Sequence, residues 1–193
     1  MIRLATEKDI PAVLAIYAPY VQNTAISFEY VLPTIEEFTA RFQAITAQFP
    51  WLVWEEDGAV LGYAYGSAPF ERAAFGWCAE ASIYLHPGAQ GRGIGRKLYA
   101  VLEEILALQG YVKVYALVTS ANQPSVDFHL AAGYRLAATL PGCGFKLGRW
   151  HGLHWLEKPL NFVEMPIHMP HSVKSIVDFD RKFHEILAKL SLS

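Results

Sequence analysis

The sequence predicts a single α/β domain built on a mixed sheet, α+β in the order of its elements, followed by a helical extension. Three observations carry this. The elements read β-α-α-β-β-β-α-β-α-β, and several consecutive strands argue against a doubly wound parallel sheet. A glycine-rich turn, Gln90-Gly91-Arg92-Gly93-Ile94-Gly95-Arg96, joins a β-prone run to an amphipathic helix. The 193 residues are 53% hydrophobic and 13% aromatic, enough to fill one core and too apolar for a disordered chain.

The elements follow in order. Ile2 to Leu4 reads as a short strand. Thr6-Glu7-Lys8-Asp9 is a helix start, with Ile10, Val13, Leu14 and Tyr17 on one face and Pro19 as the stop. Thr34-Ile35-Glu36-Glu37 is a capping box ahead of Phe38, Phe42, Ile45 and Phe49. Trp51 to Glu55 and Val60 to Tyr65 pair across Asp57-Gly58, a hairpin signal. Glu80 to Leu85 is the next strand. Ile94, Leu98, Val101, Leu102, Ile105 and Leu108 form a helical stripe that Gly110 ends. Val112 to Val118 is a strand, and Pro124 to Ala132 a short helix stopped by Gly133. Gly142, Gly144 and Gly148 predict a mobile or tightly turned segment, and Leu153 to Leu156 the last strand.

Residues 1–160 make the domain and 161–193 the extension. In the extension, Met165-Pro166 and Met169-Pro170 break structure. From about residue 172, Val173, Ile176, Val177, Phe183, Ile186, Leu187 and Leu190 recur at helical spacing. Such a stripe packs on its own domain or on a partner subunit.

The totals exclude several classes. A net charge of −2 gives no global attraction to nucleic acid or to an anionic membrane. No apolar run reaches the ~18 residues that span a bilayer. The N-terminal stretch lacks the apolar core of a signal peptide. Two cysteines, Cys78 and Cys143, do not make a disulfide framework, and a cytoplasmic location is expected.

The glycine turn is the main functional signal. Strand, glycine turn and helix start together aim backbone N–H groups and a helix dipole at one point, an anion site of the kind phosphate occupies. Arg92, Arg96 and Lys97 add charge. A dinucleotide fingerprint fails because Arg96 holds its third glycine position, and a P-loop fails for want of G-K-[ST]. What remains is Q-x-x-G-x-G. It resembles the pyrophosphate motif of the GNAT superfamily of N-acetyltransferases, which hold acetyl-CoA there.

Four further stretches resemble the phosphinothricin (methionine sulfoximine) acetyltransferase family within that superfamily. They are residues 23–29, Trp77-Cys78-Ala79-Glu80, Asn122-Gln123-Pro124-Ser125 with His129 and Gly133-Tyr134, and residues 144–151 around Lys146-Leu147-Gly148-Arg149-Trp150. The similarity runs from about Ile2 to Leu160. Gly152 stands where the family usually has Asp, which leaves the acceptor open.

The resemblance implies a GNAT acyl-CoA N-acyltransferase fold with splayed central strands, acetyl-CoA as co-substrate, a small amine as acceptor and a homodimer. The tail helix is expected at the dimer interface or over the active-site rim. Pyrophosphate would sit on the N–H groups of Gly91, Arg92, Gly93, Ile94, Gly95 and Arg96, with Gln90 a further cofactor-binding residue. Pantetheine would pair with main-chain groups of Ile83 and Leu85, with Tyr84 between them a further cofactor-binding residue, which requires that strand to splay from Val112–Val118. Asn122 and Ser125 are further cofactor contacts.

Acetyl transfer to an amine needs a base for the ammonium, donors for the developing oxyanion and an acid for the leaving thiolate. Glu80 is the candidate base, since family members carry theirs at this position. Strand alternation puts Glu80, Ser82 and Tyr84 on one face, where partial desolvation would raise the carboxyl pKa. His129 is either the acid or a packed contact to the cofactor. By the family pattern Arg72 and Lys146 are candidates for a substrate carboxylate, and Phe28 and Phe70 for the pocket wall. Metal is not expected. His151-x-x-His154 and His168-x-x-His171 lack further ligands on a rigid element, and strand residues three apart face opposite ways.

Overall fold

A computed structural model describes residues 1–162 and 168–191. The elements are β1 (Ile2–Leu4), α1 (Ile10–Asn23), α2 (Ile35–Thr46), β2 (Trp51–Glu56), β3 (Ala59–Ser67), β4 (Cys78–Leu85), α3 (Ile94–Gln109), β5 (Lys113–Thr119), α4 (Gln123–Ala131), β6 (Arg135–Lys146), β7 (Arg149–Pro159) and α5 (Phe179–Ser191). The seven strands form one sheet in the order β1-β2-β3-β4-β5-β7-β6. Every pairing is antiparallel except β4 with β5.

Two apolar clusters flank the sheet. α1 and α2 bury Ile10, Val13, Tyr17, Phe38 and Phe42 against Trp51, Val53 and Tyr63. α3 buries Leu98, Val101, Leu102 and Ile105 with Leu52, Ala64, Ala79 and Val114 on the other face. The capping box forms: Thr34 accepts from the Glu37 N–H and Glu37 accepts from the Thr34 N–H, while at the first helix start the Asp9 carboxylate accepts from both the Thr6 N–H and the Thr6 hydroxyl. The turn between β2 and β3 places Asp57 and Gly58 at φ +50° and +77°, the left-handed pair that a two-residue hairpin requires.

One feature of the sheet creates the site. The parallel ladder of β4 and β5 has only three registered pairs, Cys78 with Lys113, Ala79 with Val114 and Glu80 with Tyr115. Beyond Glu80 the strands diverge, which is the expected splay.

Four local expectations are corrected. Pro19 does not stop α1, which runs on to Asn23. Pro19 forfeits the bond to the Ala15 carbonyl, but Val21 is buried and the Thr24 hydroxyl closes the end on the Tyr20 carbonyl at 2.7 Å. The glycine-marked segment 142–148 belongs to a long hairpin, β6–β7, that turns at Leu147-Gly148. β6 is an edge strand exposed along nearly its whole length, so its sequence has no alternation to read; one register shift between Leu140 and Gly144 absorbs Pro141-Gly142, and a second falls between Leu136 and Ala138. The tail helix begins at Phe179, not near residue 172. Ser172 caps only a single 3-10 turn, and Asp178 at φ +55° breaks the run. Leu108 lies on the exposed side of α3, and Leu106 takes its place in the core. The Met165-Pro166 break lies outside the described residues.

α5 packs on α3 of its own chain, burying Phe183 and Ile186 in the same cluster. Cys78 and Cys143 are unbridged.

Candidate active site

The Gln90–Arg96 turn leads from β4 into α3 by way of a short 3-10 turn at Pro87–Ala89. Gly91 and Gly93 sit at φ +72° and +77°, and a Cβ on either would point into open space. A left-handed conformation with clear space above it lets a ligand approach the backbone, which is why glycine is needed at both positions. The first intrahelical bond of α3 runs from the Lys97 N–H to the Gly93 carbonyl at 3.2 Å. The N–H groups of Ile94, Gly95 and Arg96 therefore precede the helical ladder and supply an anion cradle. Gly95 has a second role. A Cβ there would touch Ile83, Leu85 and Phe128, so this glycine sets the close packing of α3 on β4.

The cradle opens into a cleft of about 590 Å³ that reaches along β4 to the start of α4. Of the residues expected to hold the cofactor, all but Arg92 line it. Arg92 turns away and forms a two-pronged pair with Glu56 at 2.7 and 2.8 Å. The Asn122 side chain caps α4 by accepting from the Ser125 N–H at 3.3 Å.

The splay exposes main-chain groups of β4, and two tyrosines take up carbonyls there. Tyr99 of α3 donates to the Ala81 carbonyl at 3.0 Å, and Tyr20 of α1 to the Leu85 carbonyl at 2.5 Å. Gln90 donates to the same Tyr20 hydroxyl at 3.1 Å, tying the glycine turn to α1. By alternation Ile83, between these two, also directs its N–H and C=O into the opening. Of the two main-chain positions expected to pair with a bound pantetheine, Ile83 is thus the better placed, and Leu85 has its carbonyl taken.

Glu80 stands where β4 and β5 part. Its carboxyl is half-buried, no cation pairs with it among the described residues, and burial alone pushes its pKa up to about 7. The wall beside it is aromatic. Tyr115 is its register partner on β5, and Phe70 lies edge-on to Tyr115 at 6.1 Å and stacks on Trp155 at 5.4 Å. Phe70, a candidate for the pocket wall, thus packs on the register partner of Glu80. No sequence motif marks Tyr115 and Trp155, because only sheet register brings them to the Glu80 face.

His129 is buried, 2% exposed, with both ring nitrogens engaged. Nδ1 lies 2.6 Å from the Ser125 carbonyl, which can only accept, so Nδ1 carries the proton. Nε2 lies 3.0 Å from the Tyr99 hydroxyl. Burial lowers the His129 pKa, the Ser125 hydrogen bond opposing it, so the ring is neutral at pH 7.

The remaining candidates divide. Arg72 is exposed in the loop after β3 and has no ion-pair partner among the described residues. Lys146, expected opposite a substrate carboxylate, is buried instead, and burial lowers its pKa. Its ammonium donates to the Val21 and Ser27 carbonyls at 2.7 and 2.6 Å, fastening the loop after α1 to the β6–β7 hairpin. Phe28 of that loop packs on the same hairpin. Its ring occupies the space a Cβ on Gly144 would take, and its centroid lies 6.4 Å from that of His151. A Cβ on Gly152 would lie 3.2 Å from the Leu140 carbonyl and 3.5 Å from the Ser120 hydroxyl, so little room exists there for a side chain. Among the described residues, no three His, Cys, Asp or Glu side chains form a group that could hold a metal ion.

Comparison with known proteins decides the family. The model of the acetyltransferase (GNAT) domain matches residues 2–155. The chain belongs to the GNAT acetyltransferase family. It is 38% identical to a phosphinothricin N-acetyltransferase of Alcaligenes faecalis over 164 residues, covering 83% of this chain and 82% of the relative. It is 32% identical to an L-methionine sulfoximine/L-methionine sulfone acetyltransferase of Salmonella typhimurium, covering 83% and 94%. Among solved structures it resembles a phosphinothricin acetyltransferase from Sinorhizobium meliloti in complex with AcCoA. The TM-score is 0.82 at 32% identity, over 93% of this chain and 96% of that one. This GNAT acetyltransferase is thus an enzyme whose acyl donor is acetyl-CoA. Its cleft fits that donor, since the glycine cradle suits a pyrophosphate and the Ile83 backbone an extended amide arm.

Proposed function

We propose that this acetyltransferase acetylates the α-amine of a small amino-acid-like substrate of the phosphinothricin or methionine sulfoximine type. The observation that carries the reading is Glu80, a carboxyl raised to about 7 at the parting of β4 and β5, in register with Tyr115 of the aromatic wall. The names of the relatives support the amino-acid class.

Bound acetyl-CoA supplies an activated acetyl group on a thioester. Glu80 takes the proton of the incoming ammonium, directly or through water, and its pKa suits that task near neutrality. Phe70, Tyr115 and Trp155 exclude water on the acceptor side. Arg72 offers a cation to the acceptor carboxylate. His129, neutral with its proton on Nδ1, presents Nε2 as an acceptor 3.0 Å from the Tyr99 hydroxyl, whose single proton serves either that nitrogen or the Ala81 carbonyl. It serves as a fixed contact to this corner of the cleft, not as a stored proton. Lys146 serves the site indirectly, through the loop it anchors.

Incubation with acetyl-CoA and a panel containing L-methionine sulfoximine, L-methionine sulfone and phosphinothricin, with thiol release as readout, tests the reading. Turnover of these amines is expected, and no thiol release with any of them would sink it. Gly152 motivates a second reading with a polyamine, aminoglycoside or protein N-terminus as acceptor, which turnover of only those amines would select. Tight acetyl-CoA binding without turnover of any amine would select a sensor.

The same reading places the enzyme in the cytoplasm as a homodimer. Because α5 covers its own α3, the exposed Phe145, Leu147 and Trp150 of the β6–β7 hairpin are the better contact surface for a second copy. Light scattering should give twice the 21.6 kDa chain mass for the wild type, and the chain mass for Trp150→Glu. A monomeric wild type would remove the dimer.

A further inference from the structure

Residues 168–191 lie beyond the stretch that the family model matches, and the reaction assigns them nothing. They nevertheless touch the acceptor half of the site. The His168 carbonyl accepts from the Trp77 indole N–H at 3.0 Å. The Met169 methyl fills the space a Cβ on Gly76 would occupy. The chain is then fastened firmly. Gln109, fully buried at the end of α3, donates to the His171 carbonyl at 2.8 Å and receives the His171 N–H at the same distance on its own carbonyl. The Val173 N–H donates to the Gln48 carbonyl at 3.0 Å, and α5 closes the segment onto α3.

The clamped residues matter because of what lies on either side of them. Immediately before Gly76 comes the loop that carries Phe70, Arg72 and Phe75. Three residues after Trp77 comes Glu80. Trp77 also starts the closed end of the splayed pair, since its carbonyl accepts the Val112 N–H at 2.9 Å just ahead of the three β4–β5 pairs.

We propose that the segment from His168 to Val173 is a strap that positions the acceptor half of the active site, setting the Phe70–Phe75 loop and Glu80 through its hold on Gly76 and Trp77. Among the described residues the strap's partners are Gly76, Trp77, Gln109, Ala47 and Gln48, none of which lines the cofactor cleft, so its effect is confined to the acceptor. Only the kinetic half of the test below rests on the acceptor reading given above.

Two full-length variants test it, Trp77→Phe, which removes the indole donor and keeps a ring, and Met169→Ala, which alters a half-exposed side chain. Hydrogen–deuterium exchange should speed up roughly 3- to 10-fold across residues 70–77 in each, the effect of about one lost hydrogen bond or contact. For whichever amine the wild type acetylates, the acceptor KM should rise by a similar factor while the acetyl-CoA Kd stays within about twofold. Ile186→Val in α5, a destabilising control away from the strap, should leave the acceptor KM unchanged. Unchanged exchange over 70–77, or an acetyl-CoA Kd that moves in step with the acceptor KM, would overturn the strap. If the wild type acetylates no amine, the acceptor reading fails and the exchange measurement alone decides the strap.

Discussion

Replacing Glu80 by Gln should make the enzyme slower and more stable at once. The side chain keeps its shape and loses its charge. In the unfolded chain the carboxyl titrates near 4.5, and in the folded protein near 7, because burial penalises the carboxylate and no cation offsets it. Below pH 4.5 both states are protonated, and the group contributes nothing. Between pH 4.5 and 7 the unfolded state ionises first, so stability falls as pH rises. Above 7 the full penalty is present, about 3 kcal/mol for a difference of this size. Gln removes that penalty. At pH 8 the variant should be more stable by up to about 3 kcal/mol, which for a domain of this size raises Tm by about 2–4 °C per kcal/mol. At pH 5 the gain should shrink to about 1 kcal/mol or less. In the same variant kcat should drop by about 10²–10⁴, the usual contribution of a general base, with acetyl-CoA affinity unchanged because Glu80 lies off the glycine cradle. Scanning calorimetry at pH 5 and 8, beside steady-state kinetics, makes the measurement. A kcat within a few-fold of wild type, or a Tm gain independent of pH, would refute the reasoning.

Further outcomes follow from the rest of the site. Gly93→Val places a β-branched side chain at φ +77° in the open space above the cradle, and calorimetric titration should detect no acetyl-CoA binding; wild-type affinity would remove the phosphate-loop assignment. Lys146→Met strands the Val21 and Ser27 carbonyls, so Tm should fall by the equivalent of about 2 kcal/mol while acetyl-CoA still binds; an unchanged Tm with a raised acceptor KM would return Lys146 to the substrate carboxylate. His129→Asn should slow kcat less than tenfold and leave the basic limb of the pH profile in place, because the ring is neutral at pH 7; loss of that limb would make His129 the acid.

The parts of this molecule that were legible in the sequence are those set by local chemistry. The glycine cradle follows from φ-positive positions at a strand–helix junction, and Gly91 and Gly93 adopt that conformation. The face that Glu80 shares with Ser82 and Tyr84 follows from the period of a strand. The capping box and the Asp57-Gly58 turn depend on neighbours only a few residues away. What could not be read depends on distant partners. Tyr20 and Tyr99 appear in the sequence as ordinary aromatic positions on helices, and only the divergence of β4 from β5 gives their hydroxyls carbonyls to satisfy. Lys146 carries the charge of a substrate anchor and the surroundings of a structural tie, and sequence shows only the charge. β6 has no alternation, because it is a sheet edge exposed along nearly its whole length, paired with β7 alone and buried only where Lys146 reaches the Val21 and Ser27 carbonyls.

The most direct test of the central claim is the pH dependence of kcat/KM for L-methionine sulfoximine from pH 5 to 9. A buried Glu80 acting as base predicts a rising limb centred near pH 7 in the wild type that is missing from Glu80→Gln. The same limb in both proteins, or none near pH 7 in the wild type, would contradict it.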